Sequence, residues 1–122
     1  MYLIEINRSV NRLHVTLMGT FDEAQAEALL GELESQLGEL REGFHLVTDL
    51  TDLEALEHSS TPPIKKAMDL CNEHGVGKVI RIMPDPIKNF GLTVMSYFHY
   101  DKDVPVITCS NLEEALKHLS QE

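Results

Sequence analysis

The chain has 122 residues, 20 acidic against 10 basic side chains for a net charge of −10, and 43% hydrophobic residues. This length is typical of one domain, and such a chain buries roughly two-thirds of its unfolded surface without a disulfide or a metal. The acidic excess repels phosphate backbones and anionic lipid headgroups, which excludes nucleic acids and membrane surfaces as expected partners.

Sequence features that bear on location favour the cytoplasm. No apolar run approaches the ~20 residues that span a bilayer. The first residues alternate polar and apolar side chains instead of forming the apolar core of a secretory signal. Cys71 and Cys109 match neither a disulfide framework nor a metal-ligand spacing, so we expect buried free thiols. We therefore expect a single cytoplasmic domain over residues 1–122.

The first third of the chain predicts a hairpin followed by a helix. Residues 2–6 and 13–17 alternate apolar and polar side chains, which is typical of half-buried strands. The polar link between them favours an antiparallel turn. Leucines recur at helical spacing over residues 22–41, and Asp22 with Gln25 forms a candidate capping pair at the start of this helix.

The rest of the chain alternates strands with helices. The predicted elements are, in order, a strand over 44–50, a helix that Pro62 and Pro63 open, a strand over 78–83, a helix over 86–99, a strand over 104–108, and a helix that a capping box of Ser110 and Glu113 opens. This alternation favours parallel strands joined by right-handed crossovers. We therefore predict an α/β fold in the order ββαβαβαβα, with a mixed five-stranded sheet covered by four helices.

One segment, together with this order of elements, carries a family resemblance. It begins with Asp49 and Leu50 after the third strand and ends with Ser59 and Ser60 before the second helix. It resembles the STAS domain, the sulfate-transporter and anti-sigma-antagonist family, whose members often carry Asp-Leu, a short apolar turn and then Asp-Ser-Ser-Gly here. This chain departs from that motif, because histidine replaces its aspartate, threonine replaces its glycine, and the turn is longer.

The resemblance implies a non-enzymatic regulatory module that binds a protein partner of the kinase-like anti-sigma factor type. In anti-sigma antagonists that partner phosphorylates one serine of the motif, which makes Ser59 the first candidate phosphoacceptor and Ser60 the second. The surrounding loop supplies the expected partner-binding residues, which are Asp52, Glu54, Glu57, His58 and Thr61. A phosphate of about −1.5 to −2 charges would meet helix N–H groups but also these acidic neighbours. Plain capping of the helix is the alternative role for the hydroxyls.

The segment over residues 87–100 is more apolar than one buried helix face requires. The apolar side chains that lie off its main stripe are Leu92, Met95, Tyr97 and Tyr100. Such a surplus predicts the wall of a ligand pocket, a partner surface or a homodimer contact, and deeper burial of the helix is the alternative. A second hypothesis follows, in which the chain is a small-molecule or lipid-binding module of STAS or SEC14-like type.

Catalytic and metal-binding patterns are weaker. His58 beside Ser59 suggests a base next to a nucleophile, but adjacent residues rarely reach each other in hydrogen-bonding geometry, and no orienting acid or oxyanion motif is evident. A serine hydrolase is thus a third hypothesis. Asp49 and Asp52 follow a predicted parallel strand, where two carboxylates could bind a cation or simply be exposed loop acids. We expect no catalytic residue, no metal and no cofactor.

Overall fold

A computed structural model describes residues 1–84, 100 and 103–119. Within them the strands are β1 (Tyr2–Asn7), β2 (Arg12–Leu17), β3 (Gly19–Phe21), β4 (His45–Asp49), β5 (Leu53–Leu56), β6 (Lys78–Ile82) and β7 (Val106–Cys109). The α-helices of the described residues are α1 (Glu23–Gln36), α2 (Thr61–Glu73) and α3 (Leu112–Leu119). Short 3₁₀ turns follow α1, at Leu37–Glu39, and precede α2, at His58–Ser60.

The main sheet has the order β1-β2-β4-β6-β7. Its first two strands form the predicted antiparallel hairpin, and Asn11 in the link adopts a left-handed conformation (φ 55°), which asparagine tolerates better than most residues. The other neighbouring strands of the sheet pair in parallel. The predicted mixed five-stranded sheet is confirmed.

A second, two-stranded sheet shows that the predicted order of elements was incomplete. Strands β3 and β5 pair in parallel, with Thr20 opposite Ala55. They contain only three and four residues, too few for an alternating pattern to be recognised. The predicted count of four helices also differs, because the described residues contain three α-helices and the helix predicted over 86–99 lies outside them.

Both faces of the main sheet are covered at its central strands β4 and β6. On one face, residues such as Leu13, Met68 and Val79 pack in a core with α1 and α2. On the other face, Ile80 packs with Ala115 and other residues of α3. A central strand that is covered on both sides is expected to be almost continuously apolar, and β6 has the sequence KVIRI. Its arginine is therefore an exception to the pattern.

Side-chain caps begin α1 and α3. Asp22 Oδ1 accepts a hydrogen bond from the Gln25 amide at 2.9 Å, which confirms the predicted capping pair. At α3 the box predicted for Ser110 and Glu113 is wrong by one residue. Asn111 Oδ1 accepts from the Glu114 amide at 2.9 Å, and Glu114 Oε2 accepts from the Ser110 amide at 3.0 Å. Serine and asparagine cap helices about equally well, so their order in the sequence could not reveal which one does so.

No helix among the described residues has the length and apolarity that crossing a bilayer would require.

Candidate functional site

The two candidate phosphoacceptors lie side by side in the turn before α2 but in opposite environments. Ser59 is exposed, whereas Ser60 is 0% exposed. The Ser60 hydroxyl donates to the carbonyl oxygen of Glu57 at 2.6 Å, and the Ser60 amide donates to the same oxygen at 3.0 Å. Ser60 therefore closes the turn, while the hydroxyl of Ser59 is open to solvent.

The N-terminus of α2 offers few donors to an anion. Ser60 occupies the capping position, yet its side chain makes no capping hydrogen bond and turns back to Glu57. The amide of Thr61 donates to the carbonyl of His58. Pro62 and Pro63 follow and have no amide hydrogen. A phosphate at this point would consequently gain less from backbone N–H groups than at an ordinary helix start.

Residues 52–61 form what we call the acidic corner. The side chains of Asp52, Glu54, Glu57 and His58 are exposed, and that of Thr61 is half-buried. The backbone of this segment is held by the small sheet and its flanks, where the Gly19 amide donates to the Asp52 carbonyl at 2.9 Å and the Glu57 amide to the Phe21 carbonyl at 3.0 Å. The corner thus presents acidic side chains to solvent from an ordered backbone.

The other sequence-predicted chemistry at this corner is not assembled as a reactive site. Asp49 Oδ1 accepts hydrogen bonds from the Thr51 amide at 3.0 Å and from its hydroxyl at 2.6 Å, so this carboxylate shapes the turn after β4. His58 and Ser59 belong to one 3₁₀ turn, and within the described part of the chain no hydrogen bond joins their side chains. Among the same residues there is no group of three or more metal-ligating side chains.

A second candidate site is a cavity of about 60 Å³ between the main sheet and helices α1 and α2. Its wall consists of Leu13, Val15, Leu17, Leu29, Leu33, Leu46, Thr48, Ile64, Ala67, Met68, Cys71, Arg81 and Tyr100. Of the four residues predicted to form a ligand or dimer surface, the structure describes Tyr100, which is 8% exposed and therefore buried in this wall. The other three, Leu92, Met95 and Tyr97, lie outside the described residues.

Arg81 is the unexpected residue of this cavity. It is 1% exposed, and burial lowers the pKa of its guanidinium. In the sheet it stands in register with Thr48 on the neighbouring strand β4. Burial raises the pKa of the Tyr100 phenol, an effect that the charge of Arg81 opposes, and burial raises the pKa of the Cys71 thiol to about 12. The usable sequence signal was a lone arginine inside the apolar central strand β6.

Comparison with known proteins addresses the fold. No protein-family model matches the sequence, and no curated protein does. Among solved structures, a protein of the DUF3478 family with a SpoIIAA-like fold from Shewanella loihica PV-4 is 21% identical, with a TM-score of 0.73 over 97% of this chain and 93% of that one. The anti-sigma factor antagonist SpoIIAA in its unphosphorylated form is 16% identical, with a TM-score of 0.66 over 100% of both chains.

The fold is that of a STAS domain. A further STAS structure, the Bacillus cell fate determinant SpoIIAA in its phosphorylated form, is 14% identical, with a TM-score of 0.63 over 98% of this chain and 99% of that one. The predicted STAS-like architecture is confirmed. Identities this low establish the shared fold and leave the roles of individual residues to be argued from their own geometry.

Proposed function

We propose that the chain is a non-enzymatic regulatory STAS module that binds a protein partner through the acidic corner. The observation that carries this proposal is the exposed hydroxyl of Ser59 among exposed acidic side chains at the junction of β5 and α2. The similar SpoIIAA is an anti-sigma factor antagonist whose structure is known in unphosphorylated and phosphorylated forms. By analogy, the partner is of the kinase-like anti-sigma factor type.

Ser59 is the acceptor in this proposal, and Ser60 is not. A kinase must reach the hydroxyl and align it, which exposure of Ser59 permits. The hydroxyl of Ser60 is buried and already donates to the Glu57 carbonyl. A kinase could reach this hydroxyl only if the turn opened. The choice between the two serines therefore rests on accessibility.

The effect of a phosphate on Ser59 would be mainly repulsive. It would add about −1.5 to −2 charges beside the carboxylates of the corner. The start of α2 stabilises the phosphate little, because Pro62 and Pro63 carry no amide hydrogen and the Thr61 amide already donates to the His58 carbonyl. Phosphorylation would thus displace the turn around His58–Ser60 and alter the surface that the partner meets. We expect it to weaken binding of a partner that recognises the unmodified corner.

The proposal is tested by phosphosite mapping after incubation with ATP and an extract of the native cells. We expect phosphate on Ser59 in the original chain and in Ser60→Ala, and none in Ser59→Ala. A protein that co-purifies with the chain should be lost when Glu54 and Glu57 are both changed to lysine. The matched control reverses two exposed acids of α1, Glu27 and Glu34, and should retain the partner. Absence of phosphate from residues 59–61 together with absence of such a partner would contradict the proposal.

A second candidate function, a binding module for a small apolar molecule, is favoured by the cavity of about 60 Å³. Among the described residues, its wall comes from the main sheet, α1, α2 and Tyr100, and the helix predicted over 86–99 lies outside these residues. The two candidate functions use separate parts of the molecule, since the cavity wall contains no residue of the acidic corner.

A further inference from the structure

We propose that the outer edge of β1 pairs with β1 of a second copy of this chain, in antiparallel orientation, around a two-fold axis at Ile4. The two main sheets would then form one continuous sheet across the dimer. This contact differs from the dimer surface predicted within residues 87–100, and β1 shares no residue with the acidic corner. The backbone of β1, its side chains and the contrast with the other edge of the sheet carry this inference.

The hydrogen bonds at the start of the hairpin establish which backbone groups of β1 face outwards. The Met18 amide donates to the Met1 carbonyl at 2.8 Å, and the Met1 nitrogen donates to the Met18 carbonyl at 3.0 Å. From there β1 and β2 keep a single register over the whole of β1. Because hydrogen-bonded and non-bonded pairs alternate along an antiparallel ladder, the N–H and C=O groups of Tyr2, Ile4 and Ile6 point away from β2. In the described part of the chain no further strand lies beyond that edge.

The two edges of the main sheet differ in how they are protected from another chain. At the other edge, β7 has four residues and follows Pro105, which has no amide hydrogen. By contrast, β1 has six residues with the sequence YLIEIN, and it contains no proline, lysine or bulge. Natural edge strands usually carry such features because they prevent pairing with a further strand. We therefore assign β1 as the edge that accepts a partner strand.

A two-fold axis at Ile4 makes the edge of β1 complementary to itself. It places Ile4 opposite Ile4 of the second copy and Tyr2 opposite Ile6, so these residues exchange all of their outward hydrogen bonds. Their half-buried side chains pack against the core, and pairing would extend them into one apolar row across both copies. On the other face, the exposed Leu3 would lie opposite Glu5, so no carboxylate of β1 faces another directly.

Other positions of the axis satisfy fewer groups. An axis at Leu3 would leave the outward groups of Ile6 beyond the end of the partner strand, and an axis at Glu5 would do the same to Tyr2. The axis at Glu5 would also bring two carboxylates face to face, which is destabilising. Ile4 is therefore the centre that the edge favours.

Charge and contact area determine how strong this dimer should be. Each copy has a net charge of −10, so two copies repel each other. A contact made by one strand of six residues should bury less than the roughly 1,200 Å² at the lower end of stable interfaces. We therefore expect a weak dimer that forms as protein concentration rises and that tightens when salt screens the charges.

The test combines sedimentation equilibrium with amide hydrogen exchange of the purified whole chain at about 10 μM and about 1 mM, a range that covers weak association. The amides of Leu3 and Glu5 donate to β2 and should be protected at both concentrations. Those of Ile4 and Ile6 should become protected only where dimers form, and sodium chloride should lower the Kd of the dimer. A monomer at both concentrations, with rapid exchange of Ile4 and Ile6, would overturn the proposal.

Two variants of an exposed residue test the position of the axis. Leu3→Glu and Leu3→Lys remove the same apolar side chain, which is 48% exposed, so both should fold. In the dimer the new glutamate would face Glu5 of the second copy, whereas the new lysine would pair with it. The Kd of Leu3→Glu should therefore exceed that of Leu3→Lys by about 10-fold, since each dimer contains two such pairs.

The matched control makes the same two charge changes at the other edge of the sheet. Val106 is an exposed apolar residue of β7, and Val106→Glu and Val106→Lys alter the net charge as the Leu3 variants do. Their Kd values should differ by less than about 2-fold in physiological salt, where exposed charges that are far apart are screened.

Contrary results in these variants have distinct meanings. A dimer with equal Kd values for Leu3→Glu and Leu3→Lys would overturn the axis at Ile4. A difference between the two Val106 variants in place of the Leu3 variants would move the contact to β7 and overturn the assignment of β1. None of these outcomes affects the proposals for Ser59 and for the cavity, because β1 belongs to neither site.

Discussion

Ser59 and Ser60 show how strongly one residue of offset changes what a side chain can do. They sit in a 3₁₀ turn, where successive side chains point about 120° apart. That rotation leaves Ser59 exposed and turns Ser60 into the core, where its hydroxyl donates to the Glu57 carbonyl at 2.6 Å. The Ser60 hydroxyl thus makes a hydrogen bond within the fold, and Ser59 is exposed to solvent.

Substitution of the two serines should separate these roles by stability. Ser60→Ala removes a buried hydrogen bond, and we expect the free energy of unfolding to fall by about 1 kcal/mol. Ser59→Ala removes an exposed hydroxyl and should change it by less than about 0.5 kcal/mol. Urea unfolding of both variants measures the difference. Equal losses in the two variants would contradict the assignment of Ser60 as the structural residue.

The contrast between these serines could not be predicted from the sequence. The resemblance to STAS domains pointed to both, and the motif ranked Ser59 first because of its position. Accessibility depends on the backbone path from β5 to α2, which the small β3–β5 sheet holds through the hydrogen bond from the Glu57 amide to Phe21. The sequence analysis did not predict this small sheet, so it could not predict which serine is exposed.

At the level of elements, local chemistry predicted most of the structure. Alternation of apolar residues identified β1 and β2, and the candidate pair Asp22 and Gln25 marked the start of α1. The errors occur where local signals are short or duplicated. Strands β3 and β5 contain three and four residues, and two good capping residues stand next to each other before α3.

The shift of the α3 cap by one residue leads to a prediction. Asn111→Ala removes the side chain that accepts from the Glu114 amide, so the free energy of unfolding should fall by about 1 kcal/mol. Ser110→Ala keeps the Ser110 amide that donates to Glu114 and should cost less than about 0.5 kcal/mol. Thermal unfolding of both variants, with amide exchange in α3, provides the measurement. A larger loss in Ser110→Ala would support the box first predicted from the sequence.

At the level of the whole molecule, burial of ionisable groups makes the free energy of unfolding depend on pH in the alkaline range. Burial raises the pKa of the Cys71 thiol from 9.0 to about 12, and it raises that of Tyr100 as well. Both groups are neutral when protonated, so the folded state disfavours their ionisation. Their contribution to stability is complete below the unfolded pKa values and is lost as pH rises towards the folded ones.

We therefore expect the free energy of unfolding to decrease as pH rises above 9.0, the ordinary value for Cys71. One fully buried thiol contributes a slope of about 1.4 kcal/mol per pH unit in this window. Cys71→Ala should reduce the slope, and the remainder includes Cys109, whose pKa burial also raises. Urea unfolding at a series of pH values tests this. An unchanged slope in Cys71→Ala would contradict burial of the thiol as its cause.

Some features of this protein depend on residues that are close in sequence, and others depend on how distant elements pack together. Strand and helix patterns and the hairpin follow from the sequence because hydrophobic periodicity and capping act between residues a few positions apart. The STAS architecture was an expectation from a family resemblance. The burial of Ser60 and the cavity around Arg81 do not follow from the sequence, because β2, β4, β6, α1, α2 and Tyr100 must first pack together. Spacing along the chain carries no measure of that packing, so the arginine in β6 was visible in the sequence but the cavity that surrounds it was not.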